Sequence, residues 1–213
     1  MNTTPIGQAL PLKELIGDDL QKIWSDPRFK AFCGRDFLAP ESISSDSLLF
    51  VGINPSYSEA DQHIRYYNAH DGQHPYFKSF KRMAAELQRP WSHFDLLFQR
   101  ETEQKAIDRL LKLPHGPDFV WEQLQLARRV LDAARPAVII VCNTKAREFL
   151  GLDKHADQNV WLGLDFQWDE ELGTYRYQGI PTFFSGMLSG QRALDTGSHR
   201  RLTWHVKRAL QTR

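Results

Sequence analysis

The segment that most constrains the fold is Leu48–Ile53, an apolar run of strand length that ends against Asn54-Pro55. Such a run without polar alternation is typical of a strand buried on both faces, as in a parallel sheet. Proline pushes the preceding residue into extended backbone. Because open α/β sheets bind ligands at the carboxyl ends of their strands, Asn54 is predicted to lie in an active-site loop. The alternative is an ordinary strand exit, with Asn-Pro as turn chemistry.

Predicted strands alternate with predicted helices along the chain, which favours a parallel α/β sheet. Further strands are predicted at His93–Phe98, Ala137–Cys142 and Gly179–Phe184. Helical apolar spacing is found at Leu10–Trp24, Phe77–Leu87, Glu101–Leu113, Phe119–Ala134, Thr144–Leu150 and in a last helix from Asp195 or Ser198. We therefore expect one domain over residues 1–213, a three-layer α/β/α sandwich around a mostly parallel four-stranded sheet. Residues 1–46 would form a helical extension and residues 160–178 an inserted hairpin.

Composition narrows the class of protein. The chain has 213 residues, 41% of them hydrophobic, which suffices for one sizeable core. A net charge of +1 provides no overall field that would attract nucleic acid or membrane. Two cysteines cannot build a disulfide framework or a four-thiolate cluster. Without a signal peptide or a bilayer-length apolar run, we expect a cytoplasmic monomer that has no cofactor, metal or membrane partner.

A second loop of interest, Ser185–Ser189, follows the last predicted strand. Its small hydroxyl residues and backbone N–H groups are suited to holding phosphate. The chain beyond it carries several cations against the single acid Asp195; these are Arg192, Arg200, Arg201, Lys207, Arg208 and Arg213. They form either a local basic surface for a partner or a solvated helix face.

These two loops carry a family resemblance. The segment Gly52–Ser58 (Gly-Ile-Asn-Pro-Ser-Tyr-Ser) resembles the first motif of the uracil-DNA glycosylase superfamily, nearest its mismatch-specific uracil/thymine branch. Ser185–Ser189 resembles the second motif, and Ala137–Leu150 is similar to the intervening strand and helix. The resemblance implies a uracil-DNA glycosylase-like fold. It also implies hydrolysis of the N-glycosidic bond of a modified or mismatched base that is flipped out of DNA.

The resemblance also implies roles for individual residues. Asn54 would position the attacking water, and Leu188 would fill the vacated base stack, unless it is a core leucine. Tyr76 or Phe77 would stack against the base, although both residues, and Phe77 in particular, can instead pack under the helix that follows. Base contacts are further implied at Gly52, Ile53 and Phe184, and DNA contacts at Ser56, Ser58, Ser185, Gly186, Ser189 and Arg192.

Two positions depart from the family pattern. Asp95 stands where several branches have an Asn that reads the base, and an ionised Asp only accepts hydrogen bonds. It would suit a base with two adjacent donors better than uracil, unless it is a cap paired with Arg100. Phe183 or Phe184 stands in place of the His or Asn that opens the family's second motif. The alternatives are therefore a catalytically inactive nucleic-acid or nucleotide-binding protein on the same fold, or a hydrolase of free nucleosides or nucleotides.

Overall fold

The computed structural model describes residues 8–71, 74–151, 161–190 and 193–212. The strands in chain order are β1 (Ala9–Pro11), β2 (Ala39–Pro40), β3 (Ser42–Ser44), β4 (Leu48–Gly52), β5 (Tyr66–Tyr67), β6 (Trp91–Asp95), β7 (Val138–Val141), β8 (Phe166–Asp169), β9 (Thr174–Tyr177) and β10 (Ile180–Phe184). The helices are α1 (Leu12–Ser25), α2 (Lys78–Leu87), α3 (Gln104–Leu110), α4 (Gly116–Ala134), α5 (Thr144–Leu150) and α6 (Thr196–Gln211). The predicted alternation of strands and helices is confirmed.

The central sheet has six strands in the order β6-β4-β7-β10-β9-β8. The first four of these are parallel to one another, whereas β9 and β8 join antiparallel at the edge of β10. The expected count of four strands is therefore wrong. The predicted hairpin extends the sheet because the two residues between β9 and β10, Gln178 and Gly179, both have positive φ. Such a tight turn places successive strands side by side.

Both faces of the sheet are covered, which gives three layers. Along β4, Leu49 and Val51 point into one core and Leu48 and Phe50 into the other, as the two-residue period of a strand requires. The first core is closed by α1 and α4, and the second by α2 and α6. The chain therefore belongs to the α/β class.

Residues from the start of the described chain to β3 pack into the first core. The strands β1 and β3 form a two-stranded antiparallel sheet, and α1 lies against α4. Side chains of α1 such as Leu12, Ile16 and Leu20 are fully buried there. Of the helices described, none has both the length and the apolar character needed to cross a bilayer.

Candidate functional site at the carboxyl edge of the sheet

The two loops that sequence analysis singled out lie at the same edge of the sheet. Gly52 at the end of β4 is in register with Asp95 at the end of β6. The Ser185 amide after β10 donates to Val141 O of β7 (2.8 Å), and the Cys142 amide after β7 donates to Val51 O of β4 (2.8 Å). The carboxyl ends of all four parallel strands therefore meet at this edge, which is where open α/β sheets place ligands.

Asn54 is half-buried and holds two loops together. Its Nδ2 group donates to Glu101 O (2.5 Å) in the segment after β6, and to Pro55 O (3.1 Å). The Glu101 amide returns a hydrogen bond to Pro55 O (2.9 Å). Because the Nδ2 group of Asn54 donates to these two carbonyls, its side-chain oxygen is the atom left to accept a hydrogen bond.

Two buried residues, His93 and Asp95, and two half-buried ones, Tyr67 and Tyr76, form a cluster at the ends of β4 and β6; we call it the tyrosine–histidine cluster. The Tyr67 hydroxyl is 2.8 Å from His93 Nδ1, and the Tyr76 hydroxyl is 3.4 Å from His93 Nε2. Asp95 Oδ1 lies 3.8 Å from the same Nε2. The aromatic side chain of Phe77, 5.4 Å from the His93 ring, packs beside them.

Burial shifts the pKa values of His93 and Asp95 toward their neutral forms. It raises the pKa of Asp95 to about 8 and lowers the pKa of His93 to about 3. Burial also raises the pKa values of Tyr67, Tyr76 and Cys142, which all face Asp95. Burial therefore favours the neutral forms of both His93 and Asp95, which face each other at 3.8 Å. A protonated Asp95 carboxyl both donates and accepts hydrogen bonds, whereas the acceptor-only behaviour expected from the sequence applies to the ionised form.

Gly52 is required by the close approach of Asp95. A Cβ atom at position 52 would collide with Asp95 Oδ1 and lie 3.2 Å from His93 Nε2. Any side chain here would displace the carboxyl group from its place beside the imidazole. Gly52 thus contributes to the site through the space that it leaves.

The expected pairing of Asp95 with Arg100 is not formed. Arg100 donates from NH1 to Asp61 O (2.6 Å), whereas the cluster contact of Asp95 is His93. The interpretation of Asp95 as a cap held by Arg100 is therefore wrong, because Arg100 contacts Asp61 whereas Asp95 contacts His93.

The second loop is tied to the tyrosine–histidine cluster. The Ser189 hydroxyl donates to Tyr76 O (2.5 Å), which joins the loop after β10 to the turn before α2. Ser189 is buried, and its hydroxyl is engaged in this contact. Leu188 is only 3% exposed and packs in the second core with Phe183. The structure thus favours the core alternative for Leu188 over the wedge.

The other predicted contact residues are spread over both faces of the sheet. Ile53 and Phe184 pack with the first core, whereas Tyr76 packs with the second. The side chains of Ile53 and Phe184 therefore do not share a base pocket with Tyr76. Ser56, Ser58 and Gly186 are exposed and Ser185 is half-buried. Arg192 lies outside the described residues, as does the first residue of the predicted hairpin, Val160.

Sequence analysis missed His93 and Tyr67 as members of the site. A signal was available for His93, because residues two apart on a strand share a face and Asp95 was already selected. Tyr67 lies on β5, outside the central sheet, and no pattern in the neighbouring sequence predicts its contact with the cluster. Within the described part of the chain, no three His, Cys, Asp or Glu side chains gather as a metal ion would require.

Two clefts open beside Tyr57, in the loop that follows β4. Their volumes are about 500 and 570 Å³, and both are lined by Gly34, Arg35 and Tyr57. The larger one also includes Arg100 and Glu101, whose carbonyl accepts from Asn54. No protein-family model matches this sequence, and no curated protein matches it.

Proposed function

We propose that this protein is a DNA glycosylase-like hydrolase that acts on a modified or mismatched base, on a uracil-DNA glycosylase-like fold. The observation that supports it most is the meeting of Asn54, Asp95 and the Ser185–Ser189 loop at one edge, with Tyr76 bonded to that loop. A flipped nucleotide needs a water-orienting group, a base-reading group and an aromatic side chain in one place. Asn54, Asp95 and Tyr76 are of these three types.

The chemistry assigns a separate task to each polar group. Water, oriented by the Asn54 side-chain oxygen, attacks C1′ of the sugar; the C1′–N bond breaks, and its electron pair leaves with the base. A proton from the water ends on the departing base, so the products are an abasic sugar and the free base. Neutral Asp95 donates a hydrogen bond to a base oxygen as negative charge develops there. This supplies a donor that Phe183 and Phe184 cannot provide.

A DNA partner is further supported by the outer face of α6. Four cations there are exposed, namely Arg200, Arg201, Lys207 and Arg208. Trp204 stands among them with 56% of its surface exposed. Phosphate contacts from cations supply most of the sequence-independent affinity for DNA, and an indole offers a stacking surface.

The proposal predicts base release that depends on Asn54. Purified protein incubated with duplexes carrying uracil, hypoxanthine or xanthine should leave abasic sites in at least one of them. Asn54→Ala should slow release by about a hundredfold, because water loses its orienting group. Asn68→Ala, at an exposed asparagine, is the control and should act like the wild type. No release from any duplex, or equal rates for Asn54→Ala and wild type, contradicts the proposal.

A second candidate is a non-catalytic nucleic-acid or nucleotide-binding protein on the same fold. Two observations favour it. Both hydrogen bonds donated by Asn54 Nδ2 go to backbone carbonyls of the protein itself. Phenylalanine also stands where the second motif of the family has His or Asn. Binding that weakens steeply with salt, without base release, would support this candidate.

A further inference from the structure

Arg100 is a buried arginine with two hydrogen-bond donors, Nε and NH2, that have no partner within the described chain. We call this pair of donors the Nε–NH2 edge. The residue is only 3% exposed, and its NH1 group donates to Asp61 O (2.6 Å). Its Nε and NH2 atoms are buried and have no hydrogen-bond partner among the described residues. Buried donors on a cation are almost always satisfied, so this edge calls for a ligand.

Arg28 shows what the same edge does when it is filled. Its Nε and NH2 groups donate together to the carboxylate of Asp26, at 3.1 and 2.7 Å from Oδ2. This two-donor edge fits a carboxylate or a phosphate, and it adds geometric specificity to charge. Arg100 presents the equivalent pair of donors with no oxyanion opposite them.

We propose that the larger cleft beside Asn54 binds a phosphate group on the Nε–NH2 edge of Arg100. Arg100 lines this cleft of about 570 Å³ together with Arg35 and Tyr57. The cleft is ample for a phosphate and an attached sugar. It adjoins the carboxyl edge of the sheet through Glu101, whose carbonyl is bonded to Asn54.

Within the described chain, no carboxylate near the cleft is hydrogen-bonded to Nε or NH2 of Arg100. Glu101 is paired with Arg35 (2.9 Å), and Asp36 with Arg65 (2.5 Å). Asp61 contacts Arg100 through its backbone carbonyl, and Glu59 is exposed on the same turn. Because these nitrogens are buried, a phosphate reaches them only if groups packed around Arg100 move.

The first test observes Arg100 directly in the unmodified full-length chain. Inorganic phosphate is titrated at constant ionic strength, and the arginine Nε–H resonances are followed by nuclear magnetic resonance. The Arg100 resonance and the amides of Glu59–Asp61 should shift and saturate. The Arg28 resonance, whose edge is filled, is an internal control and should stay in place. An Arg100 resonance that does not move under phosphate overturns the proposal, as does one that saturates with acetate but not with phosphate.

The second test uses variants and calorimetry. Arg100→Lys keeps the charge but loses the two-donor edge, and should weaken phosphate binding at least about tenfold. Arg28→Gln should leave the affinity unchanged. A deoxynucleoside 5′-monophosphate and an oligonucleotide without terminal phosphates then separate a terminal phosphate from a backbone phosphate as the source. Equal affinity of wild type and Arg100→Lys contradicts the assignment. Because no base release is measured, the result is independent of the proposed glycosylase activity.

Discussion

At the scale of single residues, Asp95 and His93 determine what the site can do. Both are buried side by side, and burial drives each toward its neutral form. A charged carboxylate in this position would only accept hydrogen bonds, whereas the neutral acid presents both a donor and an acceptor, as an asparagine side chain does. Asp95 can therefore make both kinds of hydrogen bond for as long as it keeps its proton.

This charge state predicts how stability depends on pH. Native Asp95 keeps its proton up to about 8, whereas the unfolded chain loses it near 3.8, so this group lowers stability as pH rises between those values. His93 has a native pKa of about 3 against 6.5 and acts in the opposite direction between them. Between pH 6.5 and 8 only the Asp95 effect remains. The free energy of unfolding should fall there by up to about 1.4 kcal/mol per pH unit.

Urea unfolding between pH 5 and 9 measures this slope. Asp95→Asn should be flat between pH 6.5 and 8, because an amide does not titrate, and should show the rise due to His93 below 6.5. Asp18→Asn, at an exposed position on α1, should retain the wild-type slope. A wild-type protein whose stability does not change between pH 6.5 and 8 would show that Asp95 is not buried as a neutral acid.

The residues of the site were only partly predictable from sequence. Asn54 and Asp95 end strands, and strand ends can be identified from apolar runs. The raised pKa of Asp95 could not be foreseen, because it results from burial, which depends on how segments distant in the sequence pack together. The burial of Leu188 likewise depends on tertiary packing, since a leucine in a Ser/Gly loop is compatible with a core or a surface position.

At the scale of elements, the loop after β10 is held as part of the core. Ser189 bonds the backbone of Tyr76, and the Leu194 amide returns to Met187 O (2.8 Å). Leu188 sits between these two anchors with its side chain in the second core. These contacts therefore fix the conformation of the loop beside the site.

This position predicts a structural cost for truncation of Leu188. Leu188→Ala should lower the free energy of unfolding by about 2–5 kcal/mol, because it leaves a cavity beside Phe183. Leu113→Ala, at a leucine that is 49% exposed, should cost much less. Thermal or urea unfolding measures both. Unchanged stability of Leu188→Ala together with weaker DNA binding would instead identify Leu188 as the wedge.

The alternation of strands and helices was predicted correctly, whereas the number of strands in the central sheet was not. The strand and helix patterns gave the parallel core, because apolar runs and helical spacing are local signals. The sheet was underestimated because the Gln178-Gly179 turn folds β9 back onto β10, and only backbone geometry reveals that pairing. The boundaries of β6 shifted for a similar reason, since pairing with β4 begins at Trp91.

At the scale of the whole molecule, the polar groups of the candidate site lie at the carboxyl edge of the central sheet. The parallel order β6-β4-β7-β10 brings together loops that lie more than a hundred residues apart in sequence. The tyrosine–histidine cluster lies at this edge, and the cleft lined by Arg100 adjoins the edge through Glu101, whose carbonyl accepts from Asn54. A nucleotide bound at this edge would place its base toward Asp95 and a phosphate toward Arg100.

The most direct test is to map where a nucleotide binds. Isotope-labelled Asn54→Ala protein, chosen to prevent turnover, is titrated with short duplexes that carry uracil, hypoxanthine or xanthine, and the backbone amide shifts are recorded. We expect that at least one modified duplex, but not the unmodified one, shifts the amides of Gly52, Tyr76 and Asp95. Shifts confined to α6, or the same shifts with every duplex, would contradict a base-binding site at the carboxyl edge of the sheet.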